Sequence, residues 1–250
     1  MSEFFLELFS EEIPAGLQQN ARKTLLESFH KLFLEKKIVF KKSTSFSTPN
    51  RLVILFEGLS KEVIQKEEEI RGPIISAPEK ALEGFIRSNK IEKKDLFKKK
   101  IEKGEFYFYI KSSKKTNTIN LLQEQTPIIL ENLQWKKSMK WGNYSLNWGR
   151  PLKSILGIFD GKNLNFKFHH LSSSNTTFAD KEFEDKKKNF KNFKNYEKYF
   201  SHSGIIINQS LRKEFIIKQF ERISQKKNLT IAANKKLLDE VTDLVEQPNI

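Results

Sequence analysis

Ser2-Glu-Phe-Phe-Leu-Glu-Leu-Phe-Ser-Glu-Glu-Ile-Pro14 opens the chain, and its reading sets the fold class. Five of the six residues from Phe4 to Phe9 are apolar, dense enough for a buried strand. Ser10 followed by Glu11 and Glu12 predicts a helix start, with acids at the positive end of the dipole and Pro14 in the first turn. That helix extends to about Lys36, with Leu17, Ala21, Leu25, Phe29, Leu32 and Phe33 on one face. Ser43 to Thr48 reads as a strand stopped by Pro49, Arg51 to Glu57 as the next, and a third precedes Gly72-Pro73. Ser76-Ala-Pro-Glu79 reads as a capping box for a short helix through Ala81, Leu82, Phe85 and Ile86. A strand over 105–110 and a helix over 119–133, despite Pro127, follow. Strands and helices alternate irregularly, without the repeated crossovers of a parallel sheet. The expected class is α+β, a mixed or antiparallel sheet with packed helices.

Ser172-Ser-Ser-Asn-Thr-Thr177 reads as a boundary loop, dividing the chain into an α+β region over 1–171 and a smaller strand-plus-helices region over 178–250. In the second region, Lys181 to Phe200 mixes seven lysines with Phe183, Phe190, Phe193, Tyr196, Tyr199 and Phe200. Basic and aromatic interleaving suits a single-strand RNA platform. The three- and four-residue spacing of positions 190, 193, 196 and 200 favours the core stripe of a helix instead. Gly204 to Ile207 reads as a short strand. Helices over 209–227 and 234–246 follow, the latter burying Leu237, Leu238, Val241, Leu244 and Val245.

The 250 residues suffice for one large or two modest domains, and 22 Phe with 38% apolar residues exclude wholesale disorder. No apolar run reaches the roughly 20 residues of a membrane span, so a cytoplasmic protein without membrane contact is expected. Cys is absent, which excludes disulfides and thiolate metal sites. The net charge of +14 suggests a polyanionic partner. Only seven of the 45 cations are Arg, at positions 22, 51, 71, 87, 150, 212 and 222. Abundant Lys, Ile, Asn and Phe is also what an AT-rich coding sequence yields. The few arginines, whose planar fork grips phosphate with two bonds, are therefore the more informative cations.

One loop stands out between the helix at 119–133 and the apolar run Ile155-Leu-Gly-Ile-Phe159. Lys136-Lys-Ser-Met-Lys-Trp-Gly142 and Trp148-Gly-Arg-Pro151 place four cations (Lys136, Lys137, Lys140, Arg150) and two tryptophans in one glycine- and proline-punctuated connection. Charge and flat aromatic surface on a rigid support suit an RNA backbone with unstacked bases. The alternative is that Trp141 and Trp148 are core anchors and the lysines keep the loop soluble.

Familiar catalytic motifs do not occur. There is no phosphate loop, dinucleotide fingerprint or Gly-x-Ser-x-Gly elbow. The four histidines (30, 169, 170, 202) show no zincin spacing, and neighbours 169 and 170 diverge on a strand. Glu11 and Glu12 diverge by about 100° on a helix, which does not make an acid/base pair.

Several segments in order resemble one family, the β subunit of the bacterial two-subunit glycyl-tRNA synthetase. Its opening apolar strand with Gly-Thr-Glu-Glu-Leu-Pro stands here as Phe5-Leu-Glu-Leu-Phe-Ser-Glu-Glu-Ile-Pro14. Its Thr-Pro-Arg-Arg-Leu stands as Thr48-Pro-Asn-Arg-Leu52, and its Arg-Gly-Pro as Arg71-Gly-Pro73. Ala81-Leu-Glu-Gly-Phe85, Lys103-Gly-Glu105, Met139-Lys-Trp-Gly142, Arg150-Pro151, Gly204-Ile-Ile-Ile-Asn208 and Leu238 to Glu246 follow. The family's Thr-x-Gly-His-Arg-Phe stretch departs, standing here as Thr176-Thr-Phe-Ala-Asp-Lys-Glu-Phe183. Family members continue into an HD-type and an anticodon-binding domain, so an N-terminal portion is expected here.

The resemblance implies an ATP-dependent glycine–tRNA ligase working as an α₂β₂ heterotetramer. The α subunit is expected to use ATP and Mg, form glycyl-adenylate and charge the tRNA. The β subunit binds and orients tRNA-Gly and needs no cofactor of its own. On this reading Arg51, Arg71, Lys136, Lys137, Lys140 and Arg150 contact phosphate or the α subunit, and Trp141 stacks. Structural alternatives are that Arg51 holds a carboxylate and Arg71 braces the Gly72-Pro73 turn. Other functional readings are a docking module for the α subunit that never touches RNA, and an editing hydrolase, for which no activated nucleophile is visible.

Overall fold

The computed structural model describes residues 2–65, 67–101, 104–179, 187–232 and 234–249. They form two compact units, residues 1–61 with 118–250 and residues 62–117. The chain enters the larger unit with β1 (Ser2–Ser10), α1 (Ala15–Glu35), β2 (Lys42–Ser47) and β3 (Arg51–Leu59). The smaller unit comprises β4 (Glu62–Gln65), β5 (Glu68–Ile74), α2 (Glu79–Asn89), a 3₁₀ turn at Lys93–Asp95, β6 (Leu96–Ile101), β7 (Gly104–Lys111) and β8 (Lys114–Asn117). The larger unit resumes with α3 (Thr118–Glu131), β9 (Leu152–Phe159), β10 (Lys162–Asn163), β11 (Lys167–Phe168) and β12 (Leu171–Ser174). It ends with β13 (Thr176–Thr177), β14 (Lys188–Asn189), α4 (Phe193–His202), α5 (Gln209–Lys227) and α6 (Lys235–Leu244). The fold is α+β.

The main sheet has the order β11-β12-β9-β1-β3-β2, with β10 also beside β9. Its pairs are antiparallel except β12 with β9. The opening strand lies inside it, between β3 and β9, which is why both of its faces are apolar. Alternation sends Phe4 to one face, against Phe29 at 5.2 Å and Phe56 at 6.1 Å. Phe5 goes to the other, against Phe193 at 5.9 Å and Tyr196 at 5.4 Å. Removing any of these rings costs about 3–5 kcal/mol.

Phe190, Phe193, Tyr196 and Phe200 sit in one buried cluster with Phe5, Phe46, Val53 and Leu156. The stripe read from spacing is core, not an RNA platform. Residues 190–207 thus share a core with the first strands, and the compact division falls at 62 and 117 rather than at 172–177. Much of the expected boundary loop is strand, because Ser173 and Ser174 pair with Ile155 and Leu156 of β9. Phe183 and the divergent stretch from residue 180 lie outside the described residues.

Several element boundaries depart from the sequence pattern, each with a visible cause. Helix α1 begins at Ala15, not at Ser10, and no acid lies in its first turn. Ser10 stays in the strand and Glu11 outside the helix because their N–H groups donate to Asn50 O (2.8 Å) and Pro151 O (2.9 Å). Ser76 does not cap α2, which starts after Pro78 without a side-chain cap. Strand β5 passes through Gly72-Pro73 with a register shift, tolerated at the edge of the three-stranded sheet β5-β7-β6. Gly204 to Ile207 forms no strand: Gly204 and Ile205 N–H donate back to Ser201 O and Phe200 O at the end of α4, and Ile206 N–H donates to Glu246 O at 3.0 Å.

Helix α6 buries less of its apolar stripe than its sequence suggests, with Leu238, Val241 and Val245 only half-buried. Leu237 and Leu244 are more than half exposed, whereas Thr242 is buried. The helix is anchored through backbone carbonyls: Arg212 Nε donates to Thr242 O (2.8 Å) and Gln18 Nε2 to Asp243 O (2.6 Å).

Candidate nucleic-acid interface

The connection between α3 and β9 is rigid because its apolar residues point inward. Trp148, 1% exposed, packs on Trp135 at 5.2 Å and Phe168 at 5.9 Å, while Leu133 and Leu146 are buried. Gly149 makes this possible, since a Cβ there would lie 2.3 Å from the Trp135 ring. Met139 and Trp148 exchange two backbone hydrogen bonds, of 2.8 and 3.0 Å, closing residues 140–147 into a loop.

The polar residues of this loop face outward. Lys136, Lys137 and Lys140 are exposed, and none forms an ion pair or hydrogen bond among the described residues. Trp141 is half-buried against Tyr144 (6.4 Å) and His170 (6.0 Å). The two tryptophans therefore divide: Trp148 is the anchor and Trp141 is presented. Arg150 is a brace, its Nε donating to Glu12 O at 3.2 Å with Met139 Sδ 3.8 Å from the guanidinium.

Arg51 does not join them. It is fully buried, with Nη1 on a Glu246 carboxylate oxygen at 2.6 Å, Nη2 on Phe178 O at 2.7 Å, and Nε 3.3 Å from Glu7 Oε2. Phe9 and Phe200 lie on it at 4.7 and 4.6 Å. Tyr196 donates its hydroxyl to Glu7, and Thr48 donates to Glu246. Burial pushes the Glu7 carboxyl up from its ordinary value despite Arg51. Burial also works against the Arg51 charge, but Glu246 and Glu7 hold its pKa above the usual one. A guanidinium so enclosed presents nothing to a phosphate: the expected RNA contact is an internal ion pair. Arg71 is exposed in the smaller unit, its guanidinium 5.1 Å from the Phe106 ring centre.

Sequence reasoning missed the partners of the loop. His169 and His170 are not on a strand; they form the two-residue turn between β11 and β12, where Phe168 pairs with Leu171. His169 adopts φ +50°. Its Nε2 lies 2.6 Å from Glu131 Oε2 and its Nδ1 3.1 Å from Ser145 Oγ. A serine, a histidine and a carboxylate in a row are the ingredients of nucleophilic catalysis. Here the chain is open to water, with Glu131 59% exposed, so its hydroxyl is not activated and the contact serves to hold the turn. The adjacent His-His pair was the only available signal, and spacing alone does not say that it turns.

The description glycyl-tRNA synthetase beta subunit fits residues 4–250 as a family match. The chain belongs to the glycyl-tRNA synthetase β-subunit family. It is 38% identical over 248 residues to the glycine–tRNA ligase beta subunit of Rickettsia canadensis, and equally to that of Rickettsia typhi. Both alignments cover 99% of this chain and 37% of the relative. The Rickettsia bellii protein is also 38% identical, with 38% of its length covered. The chain thus spans little more than a third of the relatives it matches. No helix among the described residues is long and apolar enough to cross a membrane, and no cluster of three or more His, Asp or Glu there is arranged to hold a metal.

Proposed function

We propose that this chain is the tRNA-positioning part of an ATP-dependent glycine–tRNA ligase, acting with an α subunit. The carrying observation is the outward cluster of Lys136, Lys137 and Lys140, unpaired among the described residues, on a loop fixed by Trp135, Trp148 and Gly149. Cations without carboxylate partners on a rigid support are free to neutralise phosphate, and the fixed backbone sets where the RNA lies. Arg150 and Arg71 are secondary contacts, and Trp141 is an aromatic neighbour for bases. The chemistry belongs to the α subunit, where ATP is consumed with the help of Mg in the α₂β₂ assembly. This chain contributes orientation of tRNA-Gly. It works in the cytoplasm.

A second reading has one observation in its favour. Ile217, Phe220, Ile231, Leu237, Leu238 and Val241 line a cavity of about 620 Å³ between α5 and α6. Exposed apolar surface of this kind suits a protein partner, and the α subunit is the candidate.

Binding of the purified chain to tRNA-Gly and to a non-cognate tRNA, at two salt concentrations and with or without α subunit, separates the two. The tRNA reading expects binding without α that weakens steeply with salt, by roughly one log–log unit per phosphate contact. Capture of α with no binding of either tRNA would leave a docking module.

A further inference from the structure

We propose that Tyr144, His170 and Trp141 form a stacking step for one unpaired nucleobase of the RNA whose phosphates the neighbouring lysines hold. The proposal rests on the phosphate-binding reading of Lys136, Lys137 and Lys140 and names what that reading leaves open, the part of the RNA that is recognised.

Tyr144 and His170 are stacked with ring centres 3.6 Å apart and planes within 13°. Trp141 stands across both, at 64° to Tyr144 and 76° to His170. Tyr144 is 46% exposed although its ring is large and apolar. Two parallel rings leave an outer face on each, and a perpendicular indole closes one side. A planar base fits such a corner, and any base will do because each has a π-face. The preceding Lys140 and the pair at 136–137 supply positive charge for the flanking phosphates.

The step is held in place at a cost. His169 occupies the left-handed region at φ +50°, which disfavours a residue with a Cβ. Glu131 from the end of α3 and Ser145 from the loop grip the two nitrogens of its ring, at 2.6 and 3.1 Å. The adjacent His170 is thereby set over Tyr144. Gly142, at φ +52°, gives the loop the turn that brings Trp141 and Tyr144 together, with Tyr144 N–H on Trp141 O at 3.2 Å. Strain that ties a loop to a distant turn, and leaves three rings clustered at the surface, has no use in core packing. Paired bases present no free face, so the ligand is single-stranded: a loop nucleotide or an unpaired end.

The test compares a single-stranded RNA oligonucleotide, the same strand in a blunt duplex, and the single strand with one abasic nucleotide moved along it. The full chain is assayed beside its Tyr144→Leu, Tyr144→Phe and Lys136→Ala/Lys137→Ala/Lys140→Ala variants. Tyr144→Leu is expected to weaken single-strand binding about 5- to 100-fold, with the salt dependence unchanged. It should leave duplex binding alone, while Tyr144→Phe keeps wild-type affinity. At one abasic position wild type and Tyr144→Leu should bind equally. Equal losses on strand and duplex, or no loss on the single strand, overturn the step even if the lysine variant abolishes salt-dependent binding. A lysine variant with unaltered salt dependence overturns the underlying reading instead.

Discussion

Two groups of cations in this molecule have opposite fates. Arg51 and Arg212 are fully buried, each with its guanidinium on several internal acceptors, whereas Lys136, Lys137 and Lys140 stand in water unpaired among the described residues. Arg212 reaches Thr242 O, Ile206 O and Ser47 O at 2.6–2.9 Å, and Arg22 reaches Ser47 Oγ at 2.7 Å. A planar fork with five donors satisfies an interior that an ammonium does not. In a chain where Lys outnumbers Arg so heavily, scarce arginines mark burial as readily as they mark phosphate. The abundant lysines are left to face outward, and it is their support that decides whether they act.

The largest effect that tests this contrast is loss of Arg51. Arg51→Met leaves Glu7 fully buried and Glu246 without its cation. Unfolding by denaturant should show a loss of about 3–5 kcal/mol, a large part of a typical domain's stability. A loss below about 1 kcal/mol would show that the network does not hold β1, β3 and the segment at Glu246 together.

Next is the support of the loop. Gly149→Ala pushes a methyl group into the Trp135 ring and should cost about 1–3 kcal/mol, with a shift in tryptophan emission. Gly16→Ala, where an added Cβ meets nothing within 4 Å in helix α1, should instead stabilise by about 0.4–1 kcal/mol. If both behave alike, the close approach at Trp135 is not what shapes the loop.

The buried side of the contrast also has a pH signature. Burial raises Glu7, Glu3 and Asp243 above their ordinary values. The folded state then holds protons that the unfolded chain has released, so this contribution is fully present below the unfolded values of 4.5 for Glu and 3.8 for Asp. It is lost as pH rises above them through the folded values. The denaturation midpoint should fall over that range in wild type and fall less in Glu7→Gln. A steeper fall in the variant would reverse the assignment.

Helix α1 and the aromatic stripe at 190–200 were legible because each follows a helical period and is buried on the side that period predicts, and the opening strand because its apolar density suits a place with both faces covered. What failed in the fold depended on partners distant in sequence. Ser10 continues a strand because Asn50 O accepts from its N–H and Pro151 O from that of Glu11, and α6 leaves Leu237 and Leu244 exposed while Arg212 and Gln18 take hold of its carbonyls. The candidate site divides in the same way. The loop between helix and strand, and the presence in it of cations and indoles, can be read locally. That Arg51 leaves the set, and that Tyr144 and His170 enter it, follows from contacts across 195 and 26 positions, which no local pattern records.

The smallest expected stability change gives the contrast its edge. Replacing Lys136, Lys137 and Lys140 together by Ala removes three exposed charges that touch no carboxylate among the described residues from a chain of net charge +14. Denaturant unfolding should move by no more than about 0.5 kcal/mol, because surface substitutions away from contacts rarely do more. The log–log salt dependence of RNA binding should nonetheless flatten by about two to three units. These two numbers belong together. A residue group that shapes the fold changes the first, and a group that merely keeps a loop soluble changes neither. Only cations placed for a ligand change the second alone, so a stability loss above about 1 kcal/mol would give the lysines a structural role like that of Arg51, and an unaltered salt slope would leave them as residues that only keep the loop soluble.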